Sequence, residues 1–357
     1  MFGKRPHWNL VRKPLTNYLR FRPALYQAGR LEEREARTSI PHLKANQIMW
    51  EHRYWILLHS VEGIGPATYH ALIRQFGSPE DVFSTASEEI AQLPRLSLSK
   101  AEKILRAVDR MDQIEALIAQ LEQEEIYLLS VEDSAYPQPL RSVKHPPPLL
   151  YVAGRITPED DHAVAIVGSR DASQRGLQIA RGMAKRLSQQ GITIVSGYAR
   201  GIDTAAHLGA LEAEEGRTFM VLSEGILHFK LRGDAFESKA FLADRGAILS
   251  EQFPTVRWAV GGAMARNRIV VGLSKAILVV ECGEKSGTMN TAKVARAMNK
   301  PLFVLDYKEH PPPGNRKLLR EGAIPIPSYR NLDRVYEQVE VQGESPRSNV
   351  QRPTAEL

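Results

Sequence analysis

Apolar positions along the chain follow three successive patterns. Between 49 and 125 they recur at helical spacing. In "SVEGIGPATYHALIRQFGSPEDVF" (60–83), Ala67, Leu72, Ile73 and Phe76 follow a Gly63-Ile64-Gly65-Pro66 turn. "LPRLSLSKAEKILRAVDRM" (93–111) reads as a second helical pair. Residues 134–154, "SAYPQPLRSVKHPPPLLYVAG", are too rich in proline for either period and read as an extended linker. From 163 to 330 short apolar runs alternate with helical segments. The runs are "AVAIV", "ITIVS", "TFMVLS", "AILS", "AILVVE" and "PLFVLD". The helices are expected near 174–190, 203–215, 235–245, 262–274 and 288–299. Such alternation predicts an α/β domain built on a doubly wound, mainly parallel sheet with helices on both faces. The organisation expected is a leader over 1–48, a helical domain over 49–130, a linker over 131–160, the α/β domain over 161–330 and a tail over 331–357.

Charge changes this picture at one end only. The chain carries +6 formally, with 47 Lys and Arg against 41 Asp and Glu. Residues 1–48 hold ten of the basic residues and only three glutamates, a net of +7. The remainder sums to −1. The basicity therefore describes the leader, which serves either as a grip on nucleic acid or an acidic surface, or as a solvated tail. "MWEHRYWILL", from Met49, reads as the opening of a folded domain and as an alternative start of translation. No apolar stretch is long enough to span a bilayer, and no membrane association is expected. The single cysteine, Cys282, excludes an internal disulfide and fits a reducing cytoplasm. No cluster has zinc spacing, so neither a metal nor a cofactor is expected.

In parallel sheets ligands bind beyond the carboxyl ends of the strands. Four such loops carry anion chemistry. "GSR" (168–170) offers Gly168, Ser169 and Arg170, just before a predicted helix N-terminus. "SGYARGIDTAAH" (196–207) offers Ser196, Gly197, Arg200 and Gly201. "SEGILHFK" (223–230) offers Phe229 and Lys230. "ECGEKSGTMNTA" (281–292) offers Ser286, Gly287 and Thr288. "MARNRIVVGLS" adds Arg266, Asn267 and Arg268, of which the two arginines leave a helix on different sides. Glycines admit a backbone closely, hydroxyls donate, and arginine presents a planar donor fork, which together suit a phosphodiester. The dinucleotide fingerprint and the Walker lysine motif are both absent. Asp203 reads as a helix cap rather than a metal ligand, Glu251 and Glu281 as holders of loop N–H groups, and Phe229 equally as core or as a stacking ring.

Taken in order, "GSR", "SGYARGIDTAAHLGAL", "LSE", "RNRIVVGLS", "VVE" and "SGTMNTAKVA" resemble the DNA-processing protein A family (DprA, also called Smf). The glycine turn at 63–65 resembles a helix–hairpin–helix, a SAM-like module. The resemblance implies an extended Rossmann-like domain behind a small helical domain. It further implies single-stranded DNA binding, a homodimer and the loading of a RecA-type recombinase in recombination or natural transformation, without catalytic residues or turnover. It places the phosphate-binding positions at Gly168, Ser169 and Arg170, at Ser196, Gly197 and Gly201, at Arg266, Asn267 and Arg268, and at Ser286, Gly287 and Thr288. The chain departs from the family in "EGILHFKLRGD", where a tyrosine-proline is usual, and in "VGGAMARNR", where a phenylalanine is usual. A diverged role in phage defence or beside a cognate toxin or effector is the alternative, and a nucleotide-signal sensor or nucleotide hydrolase a further one. Asn290 stands where such a hydrolase would need an acid.

Overall fold

The structure is a computed structural model that describes residues 49–231, 236, 244–258 and 260–340. The basic leader, the residues from 341 onward and most of the helix expected at 235–245 lie outside the described residues.

The described chain opens on helices Arg53–His59 (α1), Pro66–Phe76 (α2), Pro79–Ser84 (α3), Ser87–Ile90 (α4), Leu98–Leu105 (α5) and Met111–Gln123 (α6). Their boundaries follow from local chemistry. Gly63, at φ +82°, makes the turn between α1 and α2, and Pro66 opens α2 where no N–H is needed. Ser78 and Ser97 cap α3 and α5, each accepting from the backbone N–H three residues on. Trp55, Ile56, Leu57 and Leu58 are the buried residues of α1.

Nine strands then build one sheet: Ile126–Ser130 (β1), Leu149–Gly154 (β2), Ala163–Val167 (β3), Thr193–Ser196 (β4), Thr218–Val221 (β5), Gly246–Ser250 (β6), Ala276–Val279 (β7), Leu302–Leu305 (β8) and Ile324–Ile326 (β9). Their order is β1-β2-β6-β5-β4-β3-β7-β8-β9, parallel from β6 through β9. The parallel part starts in the middle at β3, winds outward through β4 and β5 to β6, then returns to β7 on the other side. Two-sided burial explains the continuous apolar runs. Ala163, Ala165 and Val167 face one core layer with helices Val260–Leu273 (α10) and Gly287–Ala297 (α11). Val164 and Ile166 face the other, with Gln174–Gln189 (α8) and Ile202–Leu211 (α9).

Three segments differ from the sequence expectation. β1 ends the stretch expected to be wholly helical, and β2 lies within the stretch expected as linker. Both pair antiparallel at the β6 edge, Tyr151 opposite Ser250. The proline cluster shortens the run but does not prevent a strand: Pro146, Pro147 and Pro148 all precede β2. Consequently no free linker separates the layers. His59 stacks on Tyr151, with Nδ1 3.2 Å from its hydroxyl, and the helical core is continuous with Met220, Leu222 and Ile248 of the sheet. At the other end β9 extends the sheet, and helix Asp333–Glu340 (α13) buries Val335 and Val339 against it, so the expected tail begins as packed structure.

A polar clasp ties the amino ends of the strands. Arg217, ahead of β5, donates from Nε and Nη2 to the two carboxylate oxygens of Asp160 at 2.7 and 2.8 Å. Thr193, at the start of β4, adds its hydroxyl at 2.6 Å. Bidentate geometry and the extra donors offset the desolvation of this pair.

Candidate functional site

Because the winding reverses beside β3, the loops after β3 and β7 lie together at the carboxyl ends, where doubly wound sheets open a crevice. Ser169 N–H donates to the Glu281 carbonyl at 2.7 Å. The N-terminus of α8, which the sequence offered to an anion, already holds one. Glu281 accepts from Ser173 N–H at 3.1 Å and from its hydroxyl at 2.7 Å, while Ser173 caps Gly176 N–H. A Cβ at Gly176 would collide with that carboxylate. The charge favoured by the helix end is thus supplied from within. Ligand space opens next to it instead.

That space is a cavity of about 410 Å³ over β3, β4 and β5. Arg170 from the β3 loop, Arg200 from the β4 loop, Lys230 from the β5 loop and Arg266 from α10 bring four cations to it, against one carboxylate, Glu224. Arg170 and Lys230 are exposed and form no ion pair or hydrogen bond among the described residues. Arg200 pairs with Asp171, both largely exposed, a contact that water and salt weaken. The surplus of positive charge in a concave wall concentrates field lines on an anion.

Arg266 is set apart from the other three. Only 7% of it is exposed, and its buried Nε has no hydrogen-bond partner. Its guanidinium lies in the space that a Cβ at Gly197 would occupy, so only glycine at 197 lets the cation reach the cavity. Asp203, beneath it, balances the charge. Burial raises the Asp203 carboxyl pKa, while Arg266 and the N–H groups of Ala199 and Gly197 oppose the rise. Burial lowers the Arg266 pKa, Asp203 opposes that, and Arg170 adds to it. Gly201, at φ +89°, joins the loops: its Cα abuts the carbonyls of Ser169 and Arg170, and Ile202 N–H donates to Ser169.

The other positions singled out from sequence do not line this cavity, Phe229 excepted. Gly168 is a packing glycine, since a Cβ there would sit 2.5 Å from Ile202 Cγ1. Ser196 is fully buried and donates to the Ile166 carbonyl at 2.6 Å, stitching β4 to β3. Arg268 leaves α10 on the far side and pairs with Glu251, itself buried. Asn267 donates to the Gly287 carbonyl at 3.4 Å and to Asn290 Oδ1 at 3.2 Å, holding α11 against α10. Ser286 donates to the Gly283 carbonyl, and Thr288 is buried. Phe229 borders the cavity but is only 9% exposed. Its ring meets Tyr198 edge to face, 5.2 Å between centroids, and so serves as wall.

Tyr198, Ala199, Leu222, Ser223, Glu224 and Trp258 complete the lining and are not among the positions the sequence points to. Trp258 carries a signal of position: it lies in the loop after β6, another carboxyl end of a parallel strand, although "EQFPTVRW" holds no glycine. Among the described residues no group of three or more His, Cys, Asp or Glu could hold a metal ion, and no helix is long and apolar enough to cross a membrane.

Comparison with known proteins bears on the whole arrangement. Residues 56–110 match the model of the SAM-like helix-hairpin-helix tandem. The Protein Smf of Synechocystis sp. is 33% identical over 261 residues, which are 71% of this chain and 64% of that protein, so the chain spans just under two thirds of that relative's length. The X-ray structure of DNA processing protein A from Streptococcus pneumoniae superposes with a TM-score of 0.65 at 26% identity, over 79% of this chain and 97% of that one. The DNA processing protein A of Helicobacter pylori, which binds single-stranded DNA, superposes at 0.52 and 31% identity, over 59% and 95%. The model of DNA recombination-mediator protein A matches residues 127–340, from the first strand of the sheet to its last helix. With more than half its length under that model, the chain belongs to the DNA recombination-mediator protein A family.

Proposed function

We propose that the protein binds single-stranded DNA in the cavity over β3, β4 and β5, without chemical turnover, and acts as a mediator of recombination. The observation that carries this reading is the convergence of Arg170, Arg200, Lys230 and Arg266 from four different elements on one open concave wall. Flexible phosphates of a single strand can follow such a wall. Two carboxylates that end strands are committed elsewhere: Glu281 holds the N-terminus of α8, and Glu251 holds Arg268. Asn290, bonded to Asn267, leaves no acid at the start of α11 for cleaving a nucleotide. The single-stranded DNA binding of the Helicobacter pylori relative supports the same ligand class. As a family member the protein would act as a homodimer and pass its strand to a RecA-type recombinase, in the cytoplasm.

Fluorescence anisotropy with a labelled oligothymidine tests the reading, with a matched duplex and free nucleotides as competitors. Tight single-strand binding that free nucleotides do not displace is expected. Arg170→Ala should cost about 1.5–3 kcal/mol of that affinity, the range for a hydrogen bond to a charged group. Undiminished binding by a folded Arg170→Ala protein would count against the cavity, and displacement by a mononucleotide would favour a sensor instead.

A further inference from the structure

The cavity gathers charge, yet charge alone does not separate a single strand from other polyanions. Splayed bases do so by stacking on aromatic rings. Phe229 and Tyr198, which the cavity also contains, are not open to stacking. Phe229 is turned edge-on into Tyr198, and Tyr198 in turn meets Phe236 edge-on at 5.6 Å. Both are buried in the core shared with the helical domain.

Trp258 is placed differently. It borders the same cavity as Arg170 and Arg266, and 48% of its surface is exposed. Val256 and Met264, flanking it in sequence, are also among the exposed apolar residues. Nearly half of a large ring beside cations is thus open to a ligand's stacking face. The segment that leads into it is bonded to the loop after β5. Gly225 N–H donates to the Val256 carbonyl at 2.8 Å, Leu227 N–H to the Pro254 carbonyl at 3.2 Å, and His228 Nε2 lies 2.9 Å from the Thr255 carbonyl. These bonds tie residues 254–256, just ahead of Trp258, to residues 225–228, just ahead of Lys230, and both side chains border the one cavity.

We propose that Trp258 is the base-stacking residue of the cavity, holding a nucleobase of single-stranded DNA whose neighbouring phosphate rests on Arg170. This rests on the strand-binding reading above and adds to it the origin of the preference for unpaired bases. Stacking is tolerant of base identity, so discrimination between strands and not between sequences is its consequence.

Two labelled oligomers of equal length and charge distinguish the contributions: oligothymidine, and the same backbone with abasic positions. With the full chain, Trp258→Ala should weaken oligothymidine binding roughly 5- to 150-fold, the range for one lost stack. It should leave abasic binding almost unchanged, and Trp258→Phe should recover part of the loss. Arg170→Ala should weaken both oligomers alike. Equal affinities of Trp258→Ala and wild type for oligothymidine would overturn the assignment, as would an equal loss on both oligomers, which would make the loop a scaffold or a protein-binding patch. Failure of the wild type to bind either oligomer would overturn strand binding itself, a result distinct from binding that ignores Trp258.

Discussion

The guanidinium of Arg266 lies against the α-carbon of Gly197, in the volume that any larger side chain at 197 would fill. The two residues come from different layers of the fold, a helix packed over the sheet and the loop after β4, and each makes sense only through the other. The glycine gives the cation its route into the cavity. The cation, with Asp203 beneath it, explains a glycine that no turn requires.

Gly197→Ala should therefore displace Arg266 and weaken oligothymidine binding about tenfold or more, the scale of one charged donor misplaced. The effect should fall on affinity before stability, because the arginine can swing outward into the cavity. Anisotropy paired with thermal melting checks this. Wild-type affinity in a stably folded Gly197→Ala protein would show that Arg266 does not meet the ligand.

Acid should loosen the core beside this site. His207 is fully buried, with Nδ1 2.6 Å from Thr218 Oγ1, whose own proton goes to the Ile194 carbonyl. Nδ1 consequently bears the hydrogen, and Nε2 is bare and unpartnered. Burial, and then Arg266 nearby, push the His207 pKa down to about 3, against about 6.5 in the unfolded chain. As pH falls the unfolded state takes the proton first, so this contribution is full above about 6.5 and shrinks steadily toward 3. Between pH 6.5 and 5 it should diminish by up to about 2 kcal/mol. Buried His59, held down to about 4, acts in the same direction. Urea denaturation at pH 7.5 and 5 should show a shallower pH dependence for His207→Asn than for wild type, and identical dependence would contradict the neutral assignment.

The Asp160–Arg217 clasp should govern stability without touching binding. Asp160 is almost fully covered and Arg217 nearly so, and both lie at the amino ends of the strands, opposite the cavity. Arg217→Met strands a buried carboxylate and should cost about 3–5 kcal/mol in urea unfolding. Oligothymidine affinity, measured below the melting transition, should stay at the wild-type value. A change in affinity would mean that the two ends of the sheet are coupled.

The leader should act through salt. Ten basic residues against three acidic ones within 1–48 can release counterions from any nucleic acid, single or double stranded. Removing residues 1–48 should flatten the dependence of affinity on salt and weaken duplex binding most, while the preference for single strands persists or grows. Titrations of both forms at several salt concentrations decide it. Loss of all single-strand binding on that deletion would move the principal site out of the sheet.

How far the sequence determined this protein depends on the range of the interaction. Period and punctuation are local, so the runs Ala163–Val167 and Ala276–Val279 announced buried strands, and Gly63 and Pro66 announced a turn that the chain then makes. The alternation of strand and helix carried the doubly wound class, and the ordered motifs from "GSR" to "SGTMNTA" carried the family. Pairing across the sheet was not legible. β2 reads as linker because prolines crowd its approach, and only its pairing on both sides, Tyr151 opposite Leu128 of β1 and Ser250 of β6, makes it a strand. The site divides in the same way. Arg170, Arg200 and Lys230 were visible as cations near strand ends and Arg266 as one on a helix, but which of them share a wall depends on side-chain direction across separate elements. Arg268, two residues from Arg266, points instead to Glu251, and Glu281 takes the helix end that the sequence offered to a phosphate. Trp258 was hidden for the same reason. Its exposure is a property of what fails to pack on it, and only the tertiary structure decides that.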